Sequence, residues 1–115
     1  MIRGELWWAD FGLPFGSEPG YKRPVIIIQN DFFNNSRINT TIVIPLTTNM
    51  IMADAPGNIL ITKKETKLKK DSVLVLSQIE VIDRRRLIEK ISKIDRTIID
   101  KVENNILFVL GIRRI

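Results

Sequence analysis

Four β-branched residues in a row, Val25 to Ile28, stand between Pro24 and the turn-forming pair Asn30-Asp31. The block is too short for a helix, and branched side chains suit the pleated surface of a strand. Because no polar residue alternates into it, a strand buried on both faces is expected. Similar runs recur at Glu5 to Asp10, Thr40 to Thr47, Asn58 to Thr62, Ser72 to Ile79 and Leu87 to Ile94. Many short strands at such spacing predict a barrel or strongly bent sheet. Pro45 cannot donate to a sheet ladder, so the third run is expected to end or bulge there, leaving Thr47-Thr48-Asn49 at a strand terminus. Beyond Asp95, read as an N-cap, Ile98, Val102, Ile106, Val109 and Leu110 recur at helical spacing until Gly111. The expected fold is mainly β with one C-terminal amphipathic helix of about 15 residues packed on a small barrel.

The 115 residues suffice for one domain, 1–115, with a real hydrophobic core. The chain has no cysteine and no histidine. Thiolate chemistry, disulfides and the usual imidazole acid or base are therefore excluded, leaving Arg, Lys, Thr, Ser, Tyr and carboxylates for any reaction. The Asp and Glu residues show no two-metal spacing and no P-loop is present, so a metal- or nucleotide-dependent enzyme is disfavoured and no cofactor is expected. No apolar run approaches a membrane span, and a cytoplasmic protein without membrane contact is expected. The net charge of +5 is unevenly placed. Residues 1–57 hold four Lys or Arg against five Asp or Glu, whereas residues 58–115 hold fourteen against eight. If the first half handles a polyanion, the second half must fold around to supply the field.

Polar chemistry gathers just before the buried block. Gly12, Pro14, Gly16, Pro19 and Gly20 punctuate a loop that carries Ser17 and Glu18 and ends at Arg23. Ionisable groups are thus delivered to the edge of something rigid. Arg23 can fork two N–H donors onto phosphate or carboxylate oxygens, or it can balance Glu18 or Asp31 as a surface salt bridge. Thr47 and Thr48 would reach the same corner if the third run pairs with the Val25 strand, although threonines in such runs are commonly plain strand formers. Ser17 has an equally plain reading as a turn residue. Of Trp7 and Trp8, adjacent on a strand, at most one can be available outside the core for stacking on a base. The five lysines between Lys63 and Lys70 and the triplet Arg84-Arg85-Arg86 read either as solvated turns or as salt-sensitive attraction for a polyanion.

Gly16-Ser17-Glu18, the run from Arg23 to Asp31 (RPVIIIQND), Pro45-Leu46-Thr47 and the stretch from Asp71 to Leu87 (DSVLVLSQIEVIDRRRL) together resemble the MazF/PemK family of toxin endoribonucleases. Their order and spacing carry the resemblance over essentially the whole chain. It implies an SH3-like β-barrel with a C-terminal helix that forms a homodimer, cuts single-stranded RNA without metal and is neutralised by an antitoxin. The acidic, partly disordered tail of such an antitoxin suits the basic second half. The family's loop arginine carries over to Arg23 as catalytic, its strand-end threonine to Thr47 with Thr48 as alternative, and its serine and glutamate to Ser17 and Glu18 as positioning or assisting groups. Lys22 stands where some members have histidine, which excludes a histidine-dependent mechanism. RNA brings its own nucleophile, the 2′-hydroxyl, so the protein need only orient it, stabilise an anionic phosphorane and move protons. The expected products are a 2′,3′-cyclic phosphate and a 5′-hydroxyl, with Gln78 and the loop after Thr48 touching bases. The competing readings are a non-catalytic nucleic-acid-binding barrel and a topoisomerase-poisoning toxin of the same fold.

Overall fold

A computed structural model of the chain describes residues 1–13, 15–17 and 21–112. Its elements are β1 (Glu5–Asp10), β2 (Lys22–Ile27), α1 (Asp31–Asn34), β3 (Thr40–Thr47), β4 (Ile59–Ile61), α2 (Lys63–Thr66), β5 (Ser72–Leu74), β6 (Glu80–Asp83), β7 (Leu87–Lys93) and α3 (Arg96–Leu110). The seven strands form one antiparallel sheet in the order β4-β5-β3-β2-β1-β7, with β6 added beside β3. The path ends at β4 and β7 without closing, so the expected barrel is an open sheet.

Alternation along β2 explains the Val25 to Ile28 block. Ile26 joins Leu6, Ile44, Leu46, Ile61 and Leu74 in a first core that α3 covers with Ile98, Ile99 and Val102. Val25 and Ile27 point the other way, into a second core with Ala9, Val43 and Ile82. Each such buried aliphatic side chain contributes about 1.5–3 kcal/mol. An uninterrupted apolar run is what a strand with a core on either side requires.

β3 is the hub. One edge pairs with β2 from Val43 to Pro45. The opposite edge pairs with β6 from Thr40 to Val43 and then with β5 at Leu46 and Thr47. Pro45 falls in the gap between those two partners, where no ladder N–H is needed, and its carbonyl still accepts from Val75 N at 3.0 Å. The expected break at Pro45 is therefore a change of partner, and the strand itself continues to Thr47. The single strand expected over Ser72 to Ile79 is likewise divided. β5 ends at Leu74, a 3₁₀ turn follows at Leu76–Gln78, and β6 begins at Glu80. Val75 and Leu76 are fully buried at that corner, so the apolar pattern runs through the bend without marking it.

Helix α3 starts and stops where expected, closed by Gly111 at φ 70°. Two details differ. The Asp95 carboxylate accepts from the Thr97 hydroxyl at 2.6 Å and makes no side-chain cap to the helix backbone. Leu110 lies on the exposed side, while Ile99 takes a place in the buried stripe. Behind the helix, Gly57 adopts φ +87°, and a Cβ there would stand 2.7 Å from Val109 Cγ2. Both the left-handed backbone and the stiff branched neighbour oppose a side chain. Gly57→Ala should therefore cost about 1–3 kcal/mol, measurable as a lowered urea midpoint with an unchanged m-value; an unchanged midpoint would refute that packing.

Glu5 ties the chain's start to its last strand. Its side chain is 7% exposed and its Oε2 meets Lys90 Nζ at 2.9 Å. Oε1 accepts from Ile2 N at 2.7 Å and from Trp7 Nε1 at 3.1 Å. Burial alone would raise this carboxyl, but the Lys90, Trp7 and Ile2 donors together bring it below its ordinary value. Among the described residues, no helix is long and apolar enough to cross a membrane.

Candidate functional site

The β2–β3 ladder has its last pair at Val25 and Pro45. Two residues further along each strand stand Arg23 and Thr47, both half-buried. The antiparallel register thus directs a guanidinium and a hydroxyl to the same end of the sheet. Both residues line one hollow of about 570 Å³, together with Thr48. Thr47 Oγ1 accepts from Asn49 N at 3.2 Å, which fixes the oxygen and leaves the hydroxyl hydrogen to donate elsewhere. Thr48 is exposed beside it.

The opposite wall comes from the lysine-rich connector, which is more ordered than a solvated turn. Thr62 and Glu65 form a reciprocal capping box at the start of α2. Asp71 Oδ1 accepts from Lys63 N at 2.8 Å, and Lys67 ends the turn in the left-handed region at φ 68°. Thr66 is fully buried and its carbonyl accepts from Ser92 Oγ of β7 at 2.7 Å. This anchoring presents Lys67, Lys69 and Lys70 to the hollow that Arg23 and Thr47 line. With Lys22 the described lining holds five cations and no carboxylate. The basic half of the sequence does fold around to the loop arginine, as the charge distribution requires of a site for a polyanion.

The remaining candidates lie elsewhere. Ser17 and Gln78 share a second hollow with Phe15 and Glu80, and Gln78 Nε2 donates to the Ser17 carbonyl at 3.3 Å. Glu18 lies outside the described residues. Asp31, one of the two acids that could balance Arg23, accepts from Arg3 N at 2.8 Å and from Asn34 Nδ2 at 3.0 Å. Those bonds hold its carboxyl below the ordinary value, the Asn34 contact most strongly. The arginine triplet is locally engaged. Arg84 donates to the Phe33 carbonyl and Arg86 to that of Asp10. Arg85 grips Asp83 through two side-chain bonds, the main cause that lowers that carboxyl to about 2.

Trp7 packs against the second core, whereas Trp8, opposite Pro24 in the β1–β2 ladder, lines the hollow. Strand alternation separates the two indoles, but only the register shows which of them faces the cations. Lys67, Lys69 and Lys70 carry no mark in sequence beyond their charge; the Thr62-to-Glu65 spacing is the one available sign that their segment is ordered.

The family model for PemK-like, MazF-like toxins of type II toxin-antitoxin systems matches residues 2–110. Endoribonuclease MazF6 of Mycobacterium tuberculosis is 34% identical over 112 residues, covering 97% of this chain and 98% of that protein. Among solved structures, MazF from Deinococcus radiodurans superposes with a TM-score of 0.80 at 19% identity, covering 97% of each chain. An endoribonuclease from a mycobacterial species, solved in complex with its cognate antitoxin, gives 0.79 at 16% identity over 100% of this chain and 99% of that one. These folds carry the same mainly antiparallel sheet with a C-terminal helix.

Proposed function

The chain belongs to the PemK-like, MazF-like toxin family of type II toxin-antitoxin systems, and from that premise we propose how its cation-lined hollow cuts RNA. It is an endoribonuclease toxin. The observation that carries the mechanism is the arrival of Arg23 and Thr47 at one hollow with Lys22, Lys67, Lys69 and Lys70 and no described carboxylate. A phosphodiester fits that field, and RNA supplies the attacking group. The 2′-oxygen forms a bond to phosphorus, the bond from phosphorus to the 5′-oxygen breaks, one proton leaves the 2′-hydroxyl and one reaches the departing oxygen. Arg23 stabilises the charge that builds on the phosphorane and hydrogen-bonds the leaving oxygen. Thr47, its oxygen held by Asn49 N, donates to a non-bridging oxygen. Glu18 takes the 2′-proton, while Ser17, Thr48 and Gln78 position the strand.

The substrate is single-stranded RNA, whose splayed bases leave the backbone open to such a hollow. We assign the working state to a cytoplasmic homodimer of the single domain 1–115, neutralised by an antitoxin whose acidic segment competes with RNA for the same cations. Support for that partner is the antitoxin complex of the mycobacterial relative and the gathering of five cationic residues in the described lining of the hollow.

Incubating the protein with mixed-sequence RNA in EDTA and mapping the ends should reveal 2′,3′-cyclic phosphates and 5′-hydroxyls. An oligonucleotide with deoxyribose at the mapped position should bind and stay whole. Cutting of that oligonucleotide, or complete dependence on added Mg²⁺, would overturn the mechanism.

A further inference from the structure

The hollow is larger than a single phosphate needs. Its volume of about 570 Å³ lies within the range of roughly 300–1,000 Å³ that holds a small organic ligand. Arg23 and Thr47 account for one side of it. The other side has a half-buried indole, Trp8, and three ammonium groups on the anchored connector. No carboxylate of the described residues forms an ion pair with Lys67, Lys69 or Lys70. The cleavage step itself uses none of these four side chains.

We propose that Trp8 with Lys67, Lys69 and Lys70 forms a nucleotide subsite next to the cleavage centre, in which the indole stacks on one RNA base and the ammonium groups hold the phosphates flanking it. The inference deepens the endoribonuclease reading and rests on it. An aromatic face accepts any base, and lysines contact phosphate without reading sequence, so the subsite supplies grip rather than base choice. The connector is suited to this task because it is tied down before RNA arrives. Its capping box, the buried Thr66 and the bond from Ser92 Oγ limit the motion that binding must otherwise freeze. Trp8 is equally constrained, since its backbone pairs with β2 at Pro24 and with β7 at Glu89. A mobile surface lysine run offers no such geometry.

The test uses the oligonucleotide bearing deoxyribose at the mapped cut position, with binding followed by fluorescence anisotropy at several salt concentrations and thermal melts run alongside. Trp8→Leu should raise Kd about tenfold, the loss of one stacked base, and Trp8→Phe should stay within about threefold. The triple variant Lys67→Gln, Lys69→Gln and Lys70→Gln should flatten the plot of log K against log salt, by about 0.7 for each phosphate that is no longer neutralised. Binding should also quench the indole emission of the parent but not that of Trp8→Phe, a readout that stands even if Trp8→Leu fails to fold. Parent-like affinity in folded Trp8→Leu, an unaltered salt slope in the lysine variant, or no quenching would each overturn the subsite. A parent that cuts RNA while these variants bind normally removes the subsite alone. A parent that neither binds nor cuts RNA removes the endoribonuclease reading itself.

Discussion

Arg23→Ala should leave RNA uncut, with kcat/KM lower by about a thousandfold and the melting temperature within a few degrees of the parent. The two halves of this expectation have separate origins. Arg23 pairs with Ala9 through the backbone, and alanine preserves that ladder. What disappears is a forked donor at the end of β2, beside the hollow where the proposed mechanism develops charge. Lysine at the same position keeps the charge and loses the fork, so Arg23→Lys should recover only part of the rate. Full cleavage by the alanine variant would remove Arg23 from the chemistry, whatever its place in the hollow.

The largest loss of stability is expected at Glu5. Replacing it with alanine takes one carboxylate away from Ile2 N, Trp7 Nε1 and Lys90 Nζ at once. Lys90 is 49% exposed and regains water, so its ion pair contributes little. The partly buried Ile2 and Trp7 donors lose their acceptor, and the cost should be about 2–3 kcal/mol, seen as a melting point lower by about 10 °C. Acid should act on the same carboxyl in the parent. Glu5 and Asp31 both sit below their ordinary values in the folded chain, so the unfolded chain binds protons first as pH falls. Their contribution is complete above the ordinary carboxylate range near 4.5 and is lost as pH drops through the folded-state values. Urea midpoints measured from pH 7 down to pH 3 should show a steeper acid decline for the parent than for Glu5→Gln. Parallel curves would mean that Glu5 is not among the groups responsible.

The sequence shows the elements of this fold more clearly than their connections. The Val25 block is legible as a doubly buried strand because a core on either face demands an unbroken apolar run. α3 is legible because its heptad-like stripe and Gly111 agree. The corner at Val75 and Leu76 is hidden by the same physics, since a buried bend is as apolar as a buried strand. Closure of the sheet is invisible too, for it depends on which strands meet at the ends. In the site, residue types and spacing draw attention to Arg23 and Thr47, and the whole-chain resemblance gives them roles. The contribution of Trp8 and of the connector lysines depends on register and on a capping box, and strand pairing rather than residue type decides which indole faces the cations.

The bond from Ser92 Oγ to the Thr66 carbonyl also bears on timing. Arg23 and Thr47 emerge early during synthesis, but the lysine wall is fastened to β7, and Ile91 of that strand lines the hollow. β1 in turn holds β7 across nearly ninety residues of chain, from Glu5 to Lys93, a long-range closure of the kind that forms late. Until β7 docks, Arg23 and Thr47 lack Ile91 and the tether that fastens the lysine connector beside them. The assembled hollow is therefore expected to be a late product of folding, complete only once β7 has paired with β1.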